Sequence, residues 1–326
     1  MRNLLAALAL VLAVSCSRAP QPVPEYVPSA PYGVFHEGMI ANITPEGWLE
    51  EILVRQKDGL TGHPEAMAYP YNSCLWAGEL SRDSESRGSD WWRYEQTAYY
   101  LDGLTRLGYL LEDQKFIDLW MENIEYVLAH PQPYRPQGDF QAEVEGLIKD
   151  YSKWVDFSAQ VSEDPKARAV VANLMAQIEN RAAAASEERS AGRLGSETEF
   201  GAWPWAVFFR AVQAYYEATG DPRIPEALEK HFLSYSARAL SLDRFVVNVE
   251  GLLWTYSLTG NKELLTRAEE AWAAGMSALT QESCLDDSEF HMHGVTMNEL
   301  MKIPMILYTH TGEERYLQAA LKADYK

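Results

Sequence analysis

Cysteine is scarce: the 326 residues contain three, Cys16, Cys74 and Cys284. Cys74 and Cys284 lie far apart and lack a metal-ligand spacing such as Cys-x-x-Cys, so neither builds a local zinc site. Basic residues are also in deficit, with 28 Lys plus Arg against 47 Asp plus Glu and a net charge of −19. Such a field repels nucleic acid phosphates and anionic headgroups, so nucleic acid is excluded as a partner. Long apolar runs are missing too. The run from Leu4 to Val14 has about eleven apolar residues, where a membrane-spanning helix needs about 20. Sustained period-two alternation between hairpin turns is absent, which argues against strands. What remains is a chain with 47% hydrophobic, 12% aromatic and 23% charged residues, able to bury a large core and not disordered.

The start of the chain reads as an address. Arg2 precedes the apolar run, which meets Ser15 and Cys16. Residues 1–15 are therefore predicted to be a secretory signal peptide. Leu12 to Cys16 resembles the lipobox of bacterial lipoproteins, with Ala13 where Leu is commonest. The resemblance implies lipid attachment at Cys16, a membrane partner through that anchor, and a periplasmic or outer-membrane location. Residues 16–31 carry Pro20, Pro22, Pro24, Pro28 and Pro31 and predict an extended, semi-stiff tether. In an oxidising compartment Cys74 and Cys284 could pair, although two buried free thiols also fit.

From about residue 46 onward apolar residues recur at helical spacing. Thr44-Pro45 reads as the opening of the first helix. Further helices are predicted at 94–111, 115–129, 140–155, 165–185, 203–218, 223–240, 245–258, 262–279, 295–310 and from 314 onward. Three segments share one pattern of helix end, Thr-Gly, polar residue and new helix, at Thr219-Gly220-Asp221, Thr259-Gly260-Asn261 and Thr311-Gly312-Glu313. A degenerate copy spans Gly108 to Asp113. Gly supplies a left-handed cap, so each is a tight turn between antiparallel helices. These turns predict one rim of short connections and an opposite rim of longer loops, where function belongs. Hairpins of this size in a ring give an all-α, (α/α)6 toroid over residues 32–326. The chain supplies about eleven of the twelve helices such a toroid needs and stops inside an amphipathic stretch, so the toroid is expected to be incomplete at the C-terminus.

Aromatic and polar residues gather where the predicted mouth lies. Trp91, Trp92 and Glu95 lead into one helix; Glu197, Glu199, Trp203 and Trp205 lead into another. Asn248 and Glu250 open a third, and His291 and His293 precede a fourth. Flat rings covering C–H faces and polar groups holding hydroxyls suit a carbohydrate. The same tryptophans also fit as packing between helices, and the carboxylates as charges at helix N-termini. Glu250 differs because it sits among Phe245, Val246, Val247, Val249, Leu252 and Leu253 with no neighbouring cation. Its burial would require a specific partner or ligand. His293 is expected to bind sugar hydroxyls. A metal site from the His pair alone lacks a third ligand.

Trp91 to Asp113 resembles the hallmark segment of the β-L-arabinofuranosidase-like glycoside hydrolases, glycoside hydrolase family 127 and its relatives. Ala214 to Asp221, Glu250 before its Thr-Gly turn, and His293-Gly294 through Lys302-Ile303-Pro304 are similar to further motifs of that family, in the family's order. The chain departs from better-known members at 203–210, where they carry a His-Lys pair. The resemblance implies an (α/α)6 catalytic domain followed by β-sandwich domains, and a retaining reaction with a zinc-held cysteine nucleophile beside a Glu acid/base. It places those catalytic and zinc-binding groups downstream of Lys326, so no cofactor is expected within this chain. It places His293 and Glu250 nearest an oligo- or polysaccharide substrate, and Trp92, Glu95, Trp203, Asn248 and His291 join them as substrate-binding residues from the mouth pattern alone.

The expected function is thus the N-terminal part of a lipid-anchored glycoside hydrolase. Two rival readings are another toroid enzyme, such as a polysaccharide lyase or unsaturated glycuronyl hydrolase, and a non-catalytic glycan-binding lipoprotein. Replacing Cys16 by Ala is expected to move the protein from the membrane pellet to the soluble fraction. Continued sedimentation with membranes would defeat lipid attachment at Cys16.

Overall fold

The structure is a computed structural model that describes residues 38–68, 70–71, 76, 91–129, 202–241, 243–274 and 294–325. The predicted signal peptide, the tether with Cys16, Cys74, Cys284, and the helices expected at 140–155 and 165–185 lie outside them. Among the described residues there are nine α-helices of eleven residues or more and no strand, as the all-α reading expects. They are α1 (Trp48–Asp58), α2 (Trp91–Leu110), α3 (Gln114–Ala129), α4 (Ala202–Thr219) and α5 (Arg223–Leu233). They continue as α6 (Val249–Thr259), α7 (Lys262–Ala273), α8 (Gly294–Thr311) and α9 (Glu314–Tyr325).

Several expected boundaries move, among them the start at 245, which shifts to Val249 behind a 3-10 segment, and two with a clear local cause. The first helix does not open at Thr44-Pro45; it begins at Trp48 behind Gly47, whose φ of 62° only glycine takes without strain. The helix expected at 223–240 breaks at Ser234, whose hydroxyl donates to the His231 carbonyl at 2.6 Å and competes with the helical ladder. A short helical turn, Ala237–Leu240, follows it.

The repeated turn is a single hydrogen-bonded device. Gly220, Gly260 and Gly312 have φ of 65°, 71° and 71°. Their N–H groups donate to the carbonyls of Tyr216, Tyr256 and Tyr308 at 2.7, 2.8 and 2.8 Å. The preceding Thr219, Thr259 and Thr311 hydroxyls accept from the N–H of Asp221, Asn261 and Glu313 at 3.3, 3.2 and 3.2 Å. The next helix is then capped: Asp221 Oδ1 accepts from the Arg223 N–H at 2.9 Å, and Asn261 Oδ1 from the Glu263 N–H at 3.0 Å. In the degenerate fourth copy Glu112 takes the left-handed position, at φ 52°. There Gly108 serves packing instead, since a Cβ on it would sit 2.9 Å from the Phe116 Cβ.

Because each turn reverses the chain, the helices sort into two layers. α2 and α4 run parallel: Trp76 packs on Tyr94 and Trp205 near their starts, and Tyr109 meets Tyr215 near their ends. α6 and α8 also run parallel, with Glu250 on Lys302 at one end and Ser257 on His310 at the other. Arg210 of α4 reaches Glu299 of α8, joining these helices in a first layer. The second helices of the hairpins form the other layer. Arg223 of α5 binds Glu125 of α3, Arg267 of α7 donates to the Tyr235 carbonyl just past α5, and Trp272 of α7 packs on Tyr316 of α9. This alternation is compatible with a toroid of hairpins.

Aromatic rings fill the space between the layers. Trp76 stacks on Phe208 with centroids 4.1 Å apart and planes 12° apart, and Trp205 and Trp120 close the cluster at 5.3 and 5.5 Å from Phe208. Each such pair adds about 0.5–1.5 kcal/mol beyond burial. Asn123 holds Trp76 in place, its Oδ1 accepting the Trp76 N–H at 2.8 Å. Two glycine substitutions test this frame by denaturant unfolding. Gly260→Ala is expected to cost about 1–2 kcal/mol for the left-handed backbone. Gly251→Ala is expected to cost about 1–3 kcal/mol, because its Cβ would stand 2.3 Å from the Phe232 Cζ in a filled core.

Candidate functional site

The face of the first layer turned away from the second carries a run of ionised side chains. On α8, Glu299 and Lys302 are one turn apart, and Lys302 Nζ donates to Glu299 Oε2 at 3.1 Å. The same ammonium donates to Glu250 Oε2 of α6 at 2.6 Å. From α4, the Arg210 guanidinium donates to Glu299 Oε2 at 2.7 Å. The Arg210 carbonyl in turn accepts from Arg106 Nη2 of α2 at 3.3 Å, and Arg106 Nε donates to Asp102 Oδ1 at 2.8 Å. All four first-layer helices contribute.

These groups are neither buried nor freely solvated. Side-chain exposures are 33% for Glu250 and Lys302, 23% for Arg210 and 19% for Glu299. Partial burial opposes ionisation of Glu299, yet the Arg210 hydrogen bond and the nearby Lys302 charge outweigh it and hold the carboxyl below its ordinary value. Arg210 shifts the opposite way: burial works against its charge, and the Glu299 bond with the Glu299, Glu250 and Tyr99 fields more than restores it. At neutral pH the run therefore presents carboxylate oxygens and ammonium and guanidinium donors side by side. Hydroxyl-rich ligands need such mixed donors and acceptors.

Toward the turn rim, Ser257 Oγ lies 3.1 Å from His310 Nε2, while His310 Nδ1 lies 2.8 Å from the Ile306 carbonyl. Burial lowers the His310 pKa, so the ring is neutral and staples α6 to α8.

The residues expected at the mouth fall into three groups. Glu250 is brought into the ionised run, and the specific partner that its apolar sequence neighbours call for is Lys302, distant in sequence, which bridges it to Glu299. Trp203 and Asn248 are corrected. Trp203 is 2% exposed and belongs to the core, leaving no ring face for a sugar. Asn248, also 2% exposed, donates Nδ2 to the Phe245 carbonyl at 2.9 Å and holds the 3-10 segment Asp243–Asn248 that leads into α6. Glu95 is buried on α2, away from bulk solvent. The backbone of Trp92 lies in the first turn of α2, with its side chain outside the described residues, as are His291, His293, Glu197 and Glu199. From sequence, Lys302 figures only within a family-like stretch and Arg210 only at the end of the stretch 203–210, and neither they nor Glu299 carry a site role there. The Glu299-x-x-Lys302 spacing was the available signal, since side chains three apart share a helix face.

Among the described residues no group of three or more His, Cys, Asp or Glu side chains could hold a metal ion. No helix among them is long and apolar enough to cross a membrane. No protein-family model, curated protein or solved structure matches the chain.

The depressed Glu299 pKa makes a pH-dependent statement. Its contribution to stability is present above the ordinary Glu value of 4.5 and is lost as pH falls through the lower folded value. Glu299→Gln is expected to destabilise the fold by about 1–3 kcal/mol at neutral pH, since it removes the charge that Arg210 and Lys302 share and leaves one amide oxygen to accept from both. Urea titrations should show that difference narrowing below pH 4.5. A gap constant from neutral pH down to strong acid would contradict the assignment.

Proposed function

We propose that this chain is the helical part of a secreted, lipid-anchored glycoside hydrolase of the β-L-arabinofuranosidase-like type, acting on an oligo- or polysaccharide. The observation that supports it is the run Arg210–Glu299–Lys302–Glu250, assembled from three helices on one open face and still a fifth to a third exposed. A structural ion pair needs two residues. Here four are linked at distances of 2.6–3.1 Å while each side chain keeps a fifth to a third of its surface exposed, a polar strip that suits the alternating hydroxyls of a sugar.

Glu250 and Lys302 are the substrate-binding groups in this reading, joined by His293, which precedes Gly294 in sequence. Lys302 orients Glu250 by its 2.6 Å bond, so the carboxylate's second oxygen can accept a sugar hydroxyl while the first stays neutralised. The zinc that the family resemblance implies has no ligand set among the described residues, and no step is routed through it. Arg210 and Lys302 are both committed to carboxylates, which leaves neither available to a substrate carboxylate. That favours a glycosidase over the uronate lyase reading.

Titration calorimetry of the full chain with arabino-oligosaccharides tests the proposal. Binding is expected, and Glu250→Gln and His293→Ala should each weaken it about tenfold, near 1.4 kcal/mol, with the helical melt retained. Unchanged affinity in both variants would remove these residues from the site. Absence of binding to any neutral oligosaccharide would overturn the reading.

A further inference from the structure

Three helix-interior glycines of the first layer differ in what they accommodate. Gly108 and Gly251 are required by packing, since a Cβ on either would meet Phe116 or Phe232 at 2.9 or 2.3 Å. Gly103, deep inside α2, has no such reason among the described residues: a Cβ there would find none of their atoms within 4 Å, and its φ lies outside the left-handed range. A glycine in a helix interior costs about 1 kcal/mol relative to alanine. Among the described residues neither backbone conformation nor neighbouring atoms explain its presence.

Its surroundings do. Helical side chains lean back toward the N-terminus, so the residue that would cover Tyr99 is the one four positions later, which is Gly103. Tyr99 is accordingly 36% exposed, the most open large aromatic of the first layer among the described residues. Arg106, three positions past Gly103 on the same face, has its side chain 41% exposed and is fixed by Asp102 at 2.8 Å. Arg106 Nη2 donates to the Arg210 carbonyl at 3.3 Å, so this stretch of α2 adjoins the ionised run.

We infer that the bare surface over Gly103, between Tyr99 and Arg106, is a saccharide subsite in which one sugar ring lies against the Tyr99 face and extends across the glycine. The inference rests on the glycan reading of the same open face. Aromatic rings take sugar C–H faces by apolar contact, while the exposed Arg106 guanidinium and Asp102 carboxylate supply a donor and an acceptor for the ring hydroxyls. The missing side chain gives the sugar the depth to reach both.

The test separates this role from a structural one. Gly103→Ala removes backbone freedom without a clash, so the melting temperature of the full chain should rise by about 1–3 °C. Gly103→Leu should fill the surface and weaken binding of arabino-oligosaccharides by tenfold or more without lowering the melting temperature. Tyr99→Ala should do the same to binding, and Tyr99→Phe, which keeps the ring, should restore most of it. Wild-type affinity in Gly103→Leu and Tyr99→Ala, with Glu250→Gln still impaired, would overturn the subsite and leave the glycan reading standing. A chain that binds no neutral oligosaccharide in any form would overturn both.

Discussion

A left-handed residue at the end of each first helix is the constraint on which the arrangement depends. Gly220, Gly260 and Gly312 turn the chain within two or three residues, and each donates its N–H to a tyrosine carbonyl four residues back. A turn this short leaves the next helix no course except antiparallel and adjacent. Repetition then makes the first helices of successive hairpins parallel to one another. Were one turn longer, α6 and α8 would lose the register that sets Glu250 against Lys302 near one end and Ser257 against His310 near the other.

Parallel alignment carries an electrostatic consequence. Ion pairs between fully exposed charges contribute little, and buried ones must overcome desolvation. The Arg210–Glu299–Lys302–Glu250 run lies between these limits, each side chain losing part of its water and gaining one or two charged partners. The lowered Glu299 and raised Arg210 pKa values show that attraction prevails over desolvation for this pair. Lys302 is the junction, with bonds to carboxylates on two helices. Loss of its charge would leave two acids facing each other across α6 and α8.

Much of this was legible in the sequence where the cause is local. Thr-Gly followed by a polar residue announces its own geometry, and the turns at 220, 260 and 312 lie where that pattern places them. The degenerate copy at 108–113 kept the turn but gave the left-handed role to Glu112, which no glycine marked. What depends on distant partners was not legible. Glu250 was recognisable as an acid in apolar company, whereas its cation arrives from a helix two elements later. Trp203 and Asn248 were read as mouth residues because they sit near helix starts, yet nearness to a start does not fix direction. α4 is apolar on nearly every side, with Trp203, Trp205, Phe208 and Phe209 all buried, so its sequence carries no stripe to show which face points inward.

That uniform apolarity gives the charged run a second consequence. α6 has one charged residue, Glu250, and α8 has Glu299 and Lys302 with a neutral His310. A helix nearly apolar all round can be rotated about its axis at modest cost in buried area, because another apolar residue replaces the one displaced. Rotation of α8 by one residue, about 100°, would carry Lys302 away from Glu250 and press an ammonium toward the rings between the layers, at a desolvation cost of several kcal/mol. The same rotation would expose Ile303 or Leu307, now 1% and 0% exposed. The charges thus favour the same rotation that buries Ile303 and Leu307. Selection of that rotation is what gathers polar groups from separate helices on one open face instead of scattering them around the layer.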